Sequence, residues 1–394
     1  MIMTVLYVLI STDPFGGATK SFLILLQGVL KSGVNAIVVV PDTDGIYDTL
    51  CGMGVKVVVV SSKGNTWTGA RTLKHKILYI LRQLGRMVVN LLAYRKIEKL
   101  LRDEKIDIIH SNNTVTGLGR HLAECRNIPH LYHVREYGDK DFGLRYFPTT
   151  RSFHRYLNAA NVYTVCITKD IQKHHGLMNN PNSRVIYNGI IDCFSEDNLK
   201  LEGRDILLYA GRIEPTKGLL ELVQAYAIYV RQVERPLPLE VAGEVFDECY
   251  KKKVDDFINN NKLNDNIRFI GKSSDMPALY KKAKAIVISS EYEGFGRCMP
   301  EAMSYGCIVI GHDTGGTKEQ FDNGLALTGR EIGLRYNDRQ KLVSSLLELH
   351  NLQGEDYVSM QHLAFDVVRR MYSVDNYVES ILNFYCLIKE RQEI

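Results

Sequence analysis

The sequence lacks long uncharged stretches, paired cysteines and low-complexity tracts. No apolar run reaches the roughly 20 residues that a bilayer-spanning helix needs, so no transmembrane segment is expected. The eight cysteines never form a CxxC pair, which argues against a zinc site and against a disulfide framework. The stretch MIMTVLYVLISTDPF has no positively charged n-region and only a strand-length apolar run. We therefore expect no signal peptide and a cytoplasmic location.

Two nucleotide-binding fingerprints are missing as well. Gly16 and Gly17 follow the first apolar run, in STDPFGGATKSFLILL, but this segment matches neither GxGxxG nor GxxxxGK[ST]. The glycines still permit a tight turn, and a helix starting near Ala18 would direct free N–H groups at an anion. A plain strand-to-helix turn explains the same residues, so the segment alone does not identify a ligand.

The composition is that of a globular protein with an uneven charge distribution. The chain has 394 residues, of which 45% are hydrophobic and 24% charged, and this length suggests two domains. Up to Ile190 there are 24 basic against 13 acidic residues, whereas the remainder has 25 against 32. A basic first half and an acidic second half indicate different partners for the two halves.

Short apolar runs alternate with longer amphipathic segments, which predicts parallel strands covered by helices on both faces. In the first half the runs are Thr4–Ile10, Asn35–Val40, Lys56–Val60, Ile106–His110, His130–Val134 and Val162–Thr168. After the polar linker CFSEDNLKLEGRD they are Ile206–Ala210, Leu239–Ala242, Ile267–Ile270, Ala285–Ser289 and Ile308–Gly311. We predict two α/β units in tandem, residues 1–190 and 200–373, followed by a helix over 374–394.

Two cations follow the first strand of the second unit. Arg212 and Lys217 stand in YAGRIEPTKGLLELVQAY, where a helix is expected to begin around Lys217. Ligands of such sheets bind beyond the carboxyl ends of the strands, where two cations and a helix N-terminus suit a diphosphate. The alternative is two solvated surface cations. Because Lys217 is not predicted to be a core residue, its removal should leave folding nearly unchanged.

The segment EYEGFGRCMPEAMSYG places two carboxylates around a glycine-rich turn. Glu293 is expected in the loop after a buried strand, and Glu301 in the first turn of a helix that contains Pro300 and ends before Gly306. Gly294 and Gly296 would let backbone N–H groups approach a phosphate. Two acids that bind the hydroxyls of a sugar and a ribose explain this spacing better than two surface charges.

These motifs together resemble one enzyme family. EGFGRCMPE is similar to the Glu-x7-Glu motif of the retaining glycosyltransferases of family 4, and VIYNGIID, GRIEPTKG, IRFIGKSSDMPALYKKA and DTGGTKE are similar to its other markers, in the same order. The resemblance is strong from Val185 to Gln320 and looser before Val185. It implies the α/β fold called GT-B, in which two Rossmann-like domains face each other across a cleft. It also implies that helix 374–394 joins the first, acceptor-binding domain.

The resemblance also implies roles for individual residues. Arg212 and Lys217 would neutralise the leaving diphosphate, Glu301 would bind the ribose, and Glu293 and His133 would contact the transferred sugar. Further donor-binding positions would be Gly16, Gly17, Gly271, Met276, Gly294, Phe295 and Gly296. Asn112, Asn113, Arg135 and Glu136 would face the acceptor. His133 is expected after a strand of the first unit, and Arg297 and Cys298, which depart from the commoner aliphatic pattern, are expected to affect only local packing.

The implied reaction moves a sugar, with retained configuration, from a nucleotide-diphosphate sugar to an acceptor hydroxyl. A UDP-sugar is the favoured donor, and a lipid-linked glycan of a bacterial surface polysaccharide the favoured acceptor. No cofactor and no nucleic-acid partner are expected. No metal is expected either, because turns or chance explain the Asp-x-Asp triplets at Asp42 and Asp139. Two alternatives remain: a catalytically silent nucleotide-sugar-binding partner in an assembly complex, and a phosphorylase or epimerase of the same fold.

The stretch from Arg71 to Arg102 combines helical apolar periodicity with basic charge. It holds nine Lys or Arg residues and no acid before Glu98, and its apolar residues are Leu73, Ile77, Ile80, Leu84, Met87, Leu91 and Tyr94. One interpretation is a helix packed on the first domain with a solvated basic face. The other is a peripheral surface that binds anionic lipid on the inner face of the cell membrane.

Overall fold

The computed structural model divides the chain into two compact units. Unit 1 comprises Met1–Gly189 and Val374–Ile394, and unit 2 comprises Ile190–Ser373. The structure describes residues 3–68, 73–190, 194–200 and 203–392, with the backbone alone at 68 and 73–76. Arg71, the first residue of the basic stretch, therefore lies outside the described residues.

Unit 1 is built on a parallel sheet. Its strands are β1 (Thr4–Val8), β2 (Asn35–Val40), β3 (Lys56–Val59), β4 (Thr66–Thr68), β5 (Ile108–Ser111), β6 (His130–Val134), β7 (Leu144–Tyr146), β8 (Val162–Cys166) and β9 (Ser183–Val185). Over the described residues, seven strands form one sheet in the order β3-β2-β1-β5-β6-β8-β9, and β4 pairs antiparallel with β7. Its helices are α1 (Gly17–Lys31), α2 (Tyr47–Gly52), α3 (Leu73–Leu100), α4 (Leu118–Arg126), α5 (Asp139–Phe142), α6 (Thr150–Leu157) and α7 (Lys169–His174).

Both faces of this sheet are buried, which explains the continuous apolar runs. Successive strand residues point to opposite faces, so Val5 and Tyr7 join one hydrophobic cluster while Leu6 and Val8 join another. Every residue from Val5 to Val8 is almost fully buried. An alternating pattern would have left one face of the sheet in water.

Unit 2 repeats the same architecture. Its strands are β10 (Ile206–Ala210), β11 (Leu239–Ala242), β12 (Ile267–Gly271), β13 (Ala283–Ile288), β14 (Ile308–His312) and β15 (Leu334–Tyr336). Over its described residues, 194–200 and 203–373, they form one parallel sheet in the order β12-β11-β10-β13-β14-β15. Its helices are α8 (Leu219–Gln232), α9 (Glu248–Asn260), α10 (Met276–Lys282), α11 (Cys298–Ser304), α12 (Gly315–Thr328), α13 (Arg339–Asn351) and α14 (Gly354–Met371).

Every apolar run that was predicted to be a strand forms one, with ends that shift by one or two residues. The sequence analysis missed β4, β7, β9 and β15. Each of these has three residues, which is too short to show periodicity above the surrounding turns.

The last helix, α15 (Val374–Glu390), belongs to unit 1 and begins directly after Ser373. Tyr377, Ile381 and Tyr385 are buried in the same cluster as the β1 residues Val5 and Tyr7. Helix α15 packs on α1 so closely that a Cβ added to Gly28 would lie 2.3 Å from Cγ2 of Val378. Gly28 therefore allows the two helices to approach each other.

This packing predicts opposite effects for one substitution at two helical glycines. Gly28→Ala should lower the melting temperature, because the clash with Val378 costs more than the roughly 1 kcal/mol that alanine gains over glycine in a helix. Gly85→Ala in α3, where no atom of the described residues lies within 4 Å of the added Cβ, should raise it slightly. Thermal unfolding followed by circular dichroism measures both.

A second substitution identifies the cause. Val378→Ala should recover part of the loss in the Gly28→Ala background, since it removes both methyl groups nearest the new Cβ. If Gly28→Ala is as stabilising as Gly85→Ala, α15 does not dock on α1 as described.

Candidate functional site

The predicted donor-site residues of unit 2 meet at one edge of its sheet. Strands β10, β13 and β14 are neighbours, so the loops after their carboxyl ends lie side by side. The first loop carries Arg212 and Lys217, the second carries Glu293, and the third leads into α12 at Gly315. Residues more than 80 positions apart in the sequence thus share a single site.

Lys217 and Glu293 form an ion pair at the centre of this edge. The Lys217 ammonium donates to Oε1 of Glu293 at 2.5 Å, and the Ser290 hydroxyl donates to the same oxygen at 2.7 Å. The two charged side chains are only 23% and 20% exposed. Burial disfavours the charged ammonium, but the Glu293 carboxylate outweighs that effect and raises the pKa of Lys217, which therefore remains protonated.

The helix that was expected to begin around Lys217 is α8, and Lys217 lies two residues before its first residue. A 3-10 turn covers Pro215–Lys217, Gly218 adopts a left-handed conformation with φ of 68°, and α8 begins at Leu219. A Cβ on Gly218 would lie 2.0 Å from the carbonyl oxygen of Ser289. Glycine is required there because the loops after β10 and β13 touch, and this contact brings Lys217 to Glu293.

Arg212 stands beside this pair with a different set of contacts. Its Nη2 atom lies 2.8 Å from Oε1 of Glu214, and its guanidinium lies 4.7 Å from the ring centroid of Phe246. The Arg212 side chain is 42% exposed, so it remains accessible to an anion. The sequence analysis missed Glu214 and Phe246, although Glu214 lies within the motif GRIEPTKG.

The glycine-rich loop from Glu293 to Gly296 is held by the start of α12. The Gly316 amide donates to the carbonyl oxygen of Glu293 at 2.7 Å, and the Gln320 side chain donates to that of Phe295. A Cβ on Gly316 would lie 2.7 Å from the carbonyl oxygen of Gly294. Phe295 is only 3% exposed and its carbonyl oxygen is bonded to Gln320, so this predicted donor-binding residue is buried in the loop.

Glu301 lies in the first turn of α11, as predicted, and both of its oxygens are engaged. Oε1 lies 3.1 Å from Nη2 of Arg297, and Oε2 accepts from the Tyr280 hydroxyl at 3.1 Å. Arg297 thus orients this carboxylate, a role that goes beyond the packing effect expected from the sequence. Burial raises the pKa of the neighbouring Cys298 thiol to about 12, which keeps it neutral.

The segment from Gly271 to Met276 follows β12 and lies at the same edge of the sheet, two strands away from β10. Gly271 ends β12 with φ of 70°, and Met276 opens α10, which the Asp275 side chain caps through the Ala278 amide at 3.0 Å. Gly271 is exposed, and Met276 is half-buried. Backbone groups of this segment are therefore accessible from solvent.

In unit 1, Gly16 and Gly17 form the N-terminus of α1. Gly16 is the N-cap residue, no side chain caps the helix, and its first turn contains no acid. The first amides of α1 are therefore available to an anion. Gly17 is exposed and Gly16 is half-buried.

His133 lies inside strand β6, within the run His130–Val134 that was predicted to be a strand, and not after it. The residue is fully buried, and its ring lies nearly parallel to that of His110 in β5, with centroids 5.4 Å apart. Burial lowers the pKa of His133 well below its ordinary value, and the Arg135 guanidinium lowers it further, so the ring is neutral.

The other predicted acceptor-side residues are mostly bonded within unit 1. Arg135 donates to the backbone and side-chain oxygens of Asn112, and to Oδ1 of Asn188 at 2.8 Å. Glu136 accepts from both the amide and the hydroxyl of Thr114, and burial raises its pKa. Asn113 is half-buried, and its Oδ1 is a buried atom for which the described residues provide no partner.

A cavity of about 520 Å³ lies in unit 1 close to these residues. Its lining includes Trp67, Tyr137, Asp139, Arg145, Tyr146 and His174. The Tyr146 hydroxyl lies 2.7 Å from the Thr114 hydroxyl, which in turn donates to Glu136. The volume falls within the range of about 300 to 1,000 Å³ typical of small-molecule sites.

Both Asp-x-Asp triplets have local structural roles. The Asp42 carboxylate accepts from the Thr12 hydroxyl at 2.6 Å and from the Asp44 amide, as in a turn. The Asp141 carboxylate accepts from the amides of Tyr137 and Gly138. Asp139 lies 2.8 Å from Nε2 of His174.

Two family models match consecutive parts of the chain. Residues 15–192 match the model described as Glycosyltransferase Family 4, and residues 191–353 match the one described as Glycosyl transferases group 1. The boundary between the matches coincides with the boundary between units 1 and 2.

Curated relatives are similar over about half of the chain. The capsular polysaccharide biosynthesis glycosyltransferase CapH of Staphylococcus aureus is 27% identical over 55% of this chain and 62% of its own length. The O-antigen chain mannosyltransferase B of Escherichia coli is 28% identical over 53% of this chain and 58% of its own length. The chain thus matches less than two thirds of the length of these relatives.

Solved structures are similar over nearly the entire chain. The Anabaena protein HepE in complex with UDP has a TM-score of 0.74 and 19% sequence identity, with 97% of this chain and 99% of that chain covered. Staphylococcus aureus TarM, in a mutant complex with UDP and other ligands, has a TM-score of 0.74 and 15% identity, with 98% and 100% covered. At these identities the similarity shows the fold.

Because Lys217 forms this ion pair, we expect its side chain to contribute to the free energy of unfolding of unit 2. The sequence had predicted that its removal would leave folding nearly unchanged. Lys217→Ala would leave the partly buried Glu293 carboxylate without its counter-charge and should destabilise unit 2 by on the order of 2 kcal/mol. Glu293→Gln in that background should restore part of the loss, because a neutral amide is easier to bury. Urea unfolding measures both effects.

Lys251→Ala provides the matched control. Lys251 pairs with Asp255 one helical turn away on α9, where the carboxylate is 42% exposed. The Lys251 side chain is 19% exposed and its ammonium lies 4.0 Å from the ring centroid of Phe269, so its loss should cost about 1 kcal/mol, less than the loss of Lys217. Equal effects of the two lysine substitutions would show that burial of the Lys217–Glu293 pair is energetically unimportant.

Proposed function

Because the chain belongs to the glycosyltransferases of family 4 and has the GT-B fold, we propose that it transfers a sugar from a nucleotide-diphosphate sugar to an acceptor hydroxyl. The observation that carries this proposal is the pairing of Lys217 with Glu293 beside Arg212, at the carboxyl edge of three adjacent strands. A UDP-sugar is the proposed donor, in line with the UDP present in the complexes of HepE and TarM.

The ion pair prepares both partners for a donor. A bound diphosphate would attract the remaining N–H groups of the Lys217 ammonium and the accessible Arg212 guanidinium, and so stabilise the charge that develops on the leaving group. Glu293 would then be free to accept hydrogen bonds from the hydroxyls of the transferred sugar. Without donor, each charge neutralises the other, so the site avoids an unpaired buried charge.

The nucleoside part would lie along the same edge. A carboxylate can accept about four hydrogen bonds, so Glu301 retains capacity for two ribose hydroxyls beyond its bonds to Arg297 and Tyr280. Backbone groups between Gly271 and Met276 would bind the base. In unit 1, the uncapped amides of α1 at Gly16 and Gly17 would bind a phosphate group.

We propose a retaining, metal-independent reaction. Protein cations supply the positive charge near the diphosphate, and no protein nucleophile is needed if the acceptor attacks from the face that the leaving group vacates. The acceptor would be a lipid-linked glycan, in line with the surface-polysaccharide names of the relatives. The cavity lined by Trp67 and Tyr146 would accommodate it, because most of the predicted acceptor-side groups are already bonded within unit 1.

We also propose that α3 binds the surface of an anionic membrane. None of the helices in the described ranges is both long and apolar enough to cross a bilayer. Helix α3, however, faces solvent with its apolar side. Nine of its large apolar residues are between 42% and 65% exposed: Ile77, Leu78, Ile80, Leu81, Leu84, Met87, Val88, Leu91 and Leu92.

Between Gln83 and Asn90 the side of α3 that packs on unit 1 is polar, whereas its last turns bury Ala93 and Ile97 in a hydrophobic cluster. Gln83 is buried there, Arg86 donates to the carbonyl oxygen of Thr66 at 2.9 Å, and Asn90 bonds the backbone of Lys63. This orientation contradicts a helix that packs its apolar stripe on the domain. An apolar face of this size marks an interaction surface, and the exposed cations Arg82, Arg95 and Lys99 favour an anionic bilayer on the cytoplasmic side.

A turnover assay tests the proposed reaction. The protein should release nucleoside diphosphate from one of a panel of nucleotide sugars, with EDTA present throughout. Lys217→Ala should lower kcat/KM by on the order of a hundredfold or more. Lys251→Ala, which also breaks a lysine–carboxylate pair, should leave kcat/KM within twofold. NMR of the product should show the anomeric configuration of the donor.

Two outcomes would contradict specific parts of the proposal. Turnover that requires added magnesium or manganese would refute metal independence. Nucleotide-sugar binding without turnover, for every acceptor tested, would indicate a silent binding partner.

Liposome sedimentation tests the membrane proposal. The protein should sediment with anionic but not neutral vesicles, and binding should weaken at high salt because screening shortens the reach of the surface potential. Replacing Leu81, Leu84 and Val88 with Ser, or Arg82, Arg95 and Lys99 with Ser, should each reduce binding. Arg86 and Lys96 are left intact because they donate to backbone carbonyls of unit 1.

Leu325 and Leu327 of α12 provide a matched control, since they are about as exposed as Leu91 but lie in unit 2. Their replacement by Ser should leave vesicle binding unchanged. Concentration-dependent dimerisation that the α3 substitutions abolish, without vesicle binding, would show that a second copy covers this face instead.

A further inference from the structure

Two buried histidines on neighbouring strands of unit 1 form the middle of a hydrogen-bonded chain. Nε2 of His110 lies 3.3 Å from Nδ1 of His133, and the rings are nearly parallel. On the other side, Nδ1 of His110 lies 2.6 Å from the hydroxyl of Tyr385 in α15, which lies 3.0 Å from the hydroxyl of Tyr7. All four side chains are essentially inaccessible to solvent.

Arg135 fixes the direction of this chain. Its Nη2 atom lies 3.2 Å from Nδ1 of His133. Nη2 also lies within hydrogen-bonding distance of Oδ1 of Asn112 and of the Tyr377 hydroxyl, so it shares its two hydrogens among three groups. A guanidinium nitrogen cannot accept, so a hydrogen on Nδ1 of His133 would face a positive group, whereas an unprotonated Nδ1 is attracted to it. The proton of the neutral His133 ring therefore resides on Nε2.

The same logic extends to the other members. Nε2 of His110 faces a nitrogen that accepts, so it must carry the proton of its ring. Nδ1 of His110 then accepts from the Tyr385 hydroxyl, whose oxygen is left to accept from Tyr7. Every hydrogen bond in this series is therefore donated in the direction of Nδ1 of His133. None of these hydrogen bonds involves Nε2 of His133.

Both rings are uncharged in this setting. Burial lowers the pKa of His110 and of His133 well below the ordinary value, and the positive charge of Arg135 acts in the same direction. A protonated ring would place a second cation against the Arg135 guanidinium. The direction of the hydrogen bonds therefore decides which of its two neutral tautomers each histidine adopts.

The Nε2–H group of His133 has no partner among the described residues, although its nitrogen is buried. A buried donor without an acceptor costs about 1 to 3 kcal/mol, so such a group calls for an explanation. His133 is the penultimate residue of β6, at the carboxyl edge where ligands of parallel sheets bind. An oxygen of a bound ligand would satisfy it.

We propose that Arg135 is a positioning residue, which holds His133 in its Nε2–H tautomer so that His133 donates a hydrogen bond to a ligand oxygen and cannot act as a base. Arg135 would then act through His133, and not by binding the acceptor. The tautomer follows from unit 1 alone, whereas the identity of the ligand oxygen, a sugar hydroxyl or a diphosphate oxygen, rests on the proposed function.

Long-range proton–nitrogen NMR of the full chain, labelled with 15N-histidine, tests the tautomer directly. His133 and His110 should each show a protonated Nε2 and an unprotonated Nδ1, with signals assigned by their loss in His133→Gln and His110→Gln. Observation of Nδ1–H at His133 in the unaltered protein would overturn the proposal, whatever the variants do.

Substitutions at position 135 test the cause. Arg135→Met removes the donor that fixes the direction, so the chain can reverse and His133 should show signal from Nδ1–H. Arg135→Lys retains a cationic donor and should keep the original tautomer. Tyr377→Phe is the matched control, because Tyr377 accepts from Nη2 of Arg135 at 3.3 Å without belonging to the chain. An unchanged spectrum in folded Arg135→Met would refute the role of Arg135.

Turnover separates this proposal from the proposed function. If both hold, Arg135→Met and His133→Gln should each lower kcat/KM at least tenfold, and the double variant should be little worse than either alone. Arg135→Lys should recover most of the activity. If NMR shows the expected tautomer but the unaltered protein has no turnover, the positioning role of Arg135 is supported and the proposed reaction is refuted. Additive losses would show that Arg135 acts independently of His133.

Discussion

The ion pair between Lys217 and Glu293 joins the loops that follow β10 and β13, and the geometry of the unit 2 site depends on it. The lysine can be brought that close only because Gly218 lacks a side chain where the two loops touch. The carboxylate is also bonded to Ser290, and its backbone is held by Gly316 at the start of α12. One electrostatic contact thus links the segments after three adjacent strands and leaves the Arg212 guanidinium accessible beside it.

In unit 1 the main physical constraint is different, because several polar side chains are buried next to each other. Arg135 donates to oxygens of Asn112 and Asn188, and its Nη2 atom lies beside Nδ1 of His133, which favours one direction for the hydrogen bonds through His133, His110 and Tyr385. Because Tyr385 belongs to α15, the last helix contributes both apolar packing and polar order to the sheet. Nε2 of His133, for which the described residues provide no partner, lies at the edge where such sheets bind ligands.

The part of helix α3 before Ala93 reverses the usual amphipathic arrangement. It packs on unit 1 through Gln83, Arg86 and Asn90, whose side chains bond the backbone of the preceding loop or are buried beside it, and it presents leucines and isoleucines to solvent. The last turns pack in the usual way, with Ile97 buried in a hydrophobic cluster. The site of unit 2 and the apolar face of unit 1 would meet different chemistries, a charged soluble donor and a lipid surface. The basic first half of the chain is consistent with the lipid surface, because anionic lipid attracts basic residues.

The sequence by itself determined the two α/β units, the long strands and the residues of the glycine-rich motif, because apolar periodicity and turn chemistry are local properties. It also identified the helix around residues 73–100 but not which of its faces would be buried. The short strands, the contact between His110 and His133 and the pairing of Lys217 with Glu293 were decided only by tertiary structure. The physical reason is that parallel strands bring together residues distant in sequence, and the partner of a buried charge is chosen by that proximity and not by its neighbours along the chain.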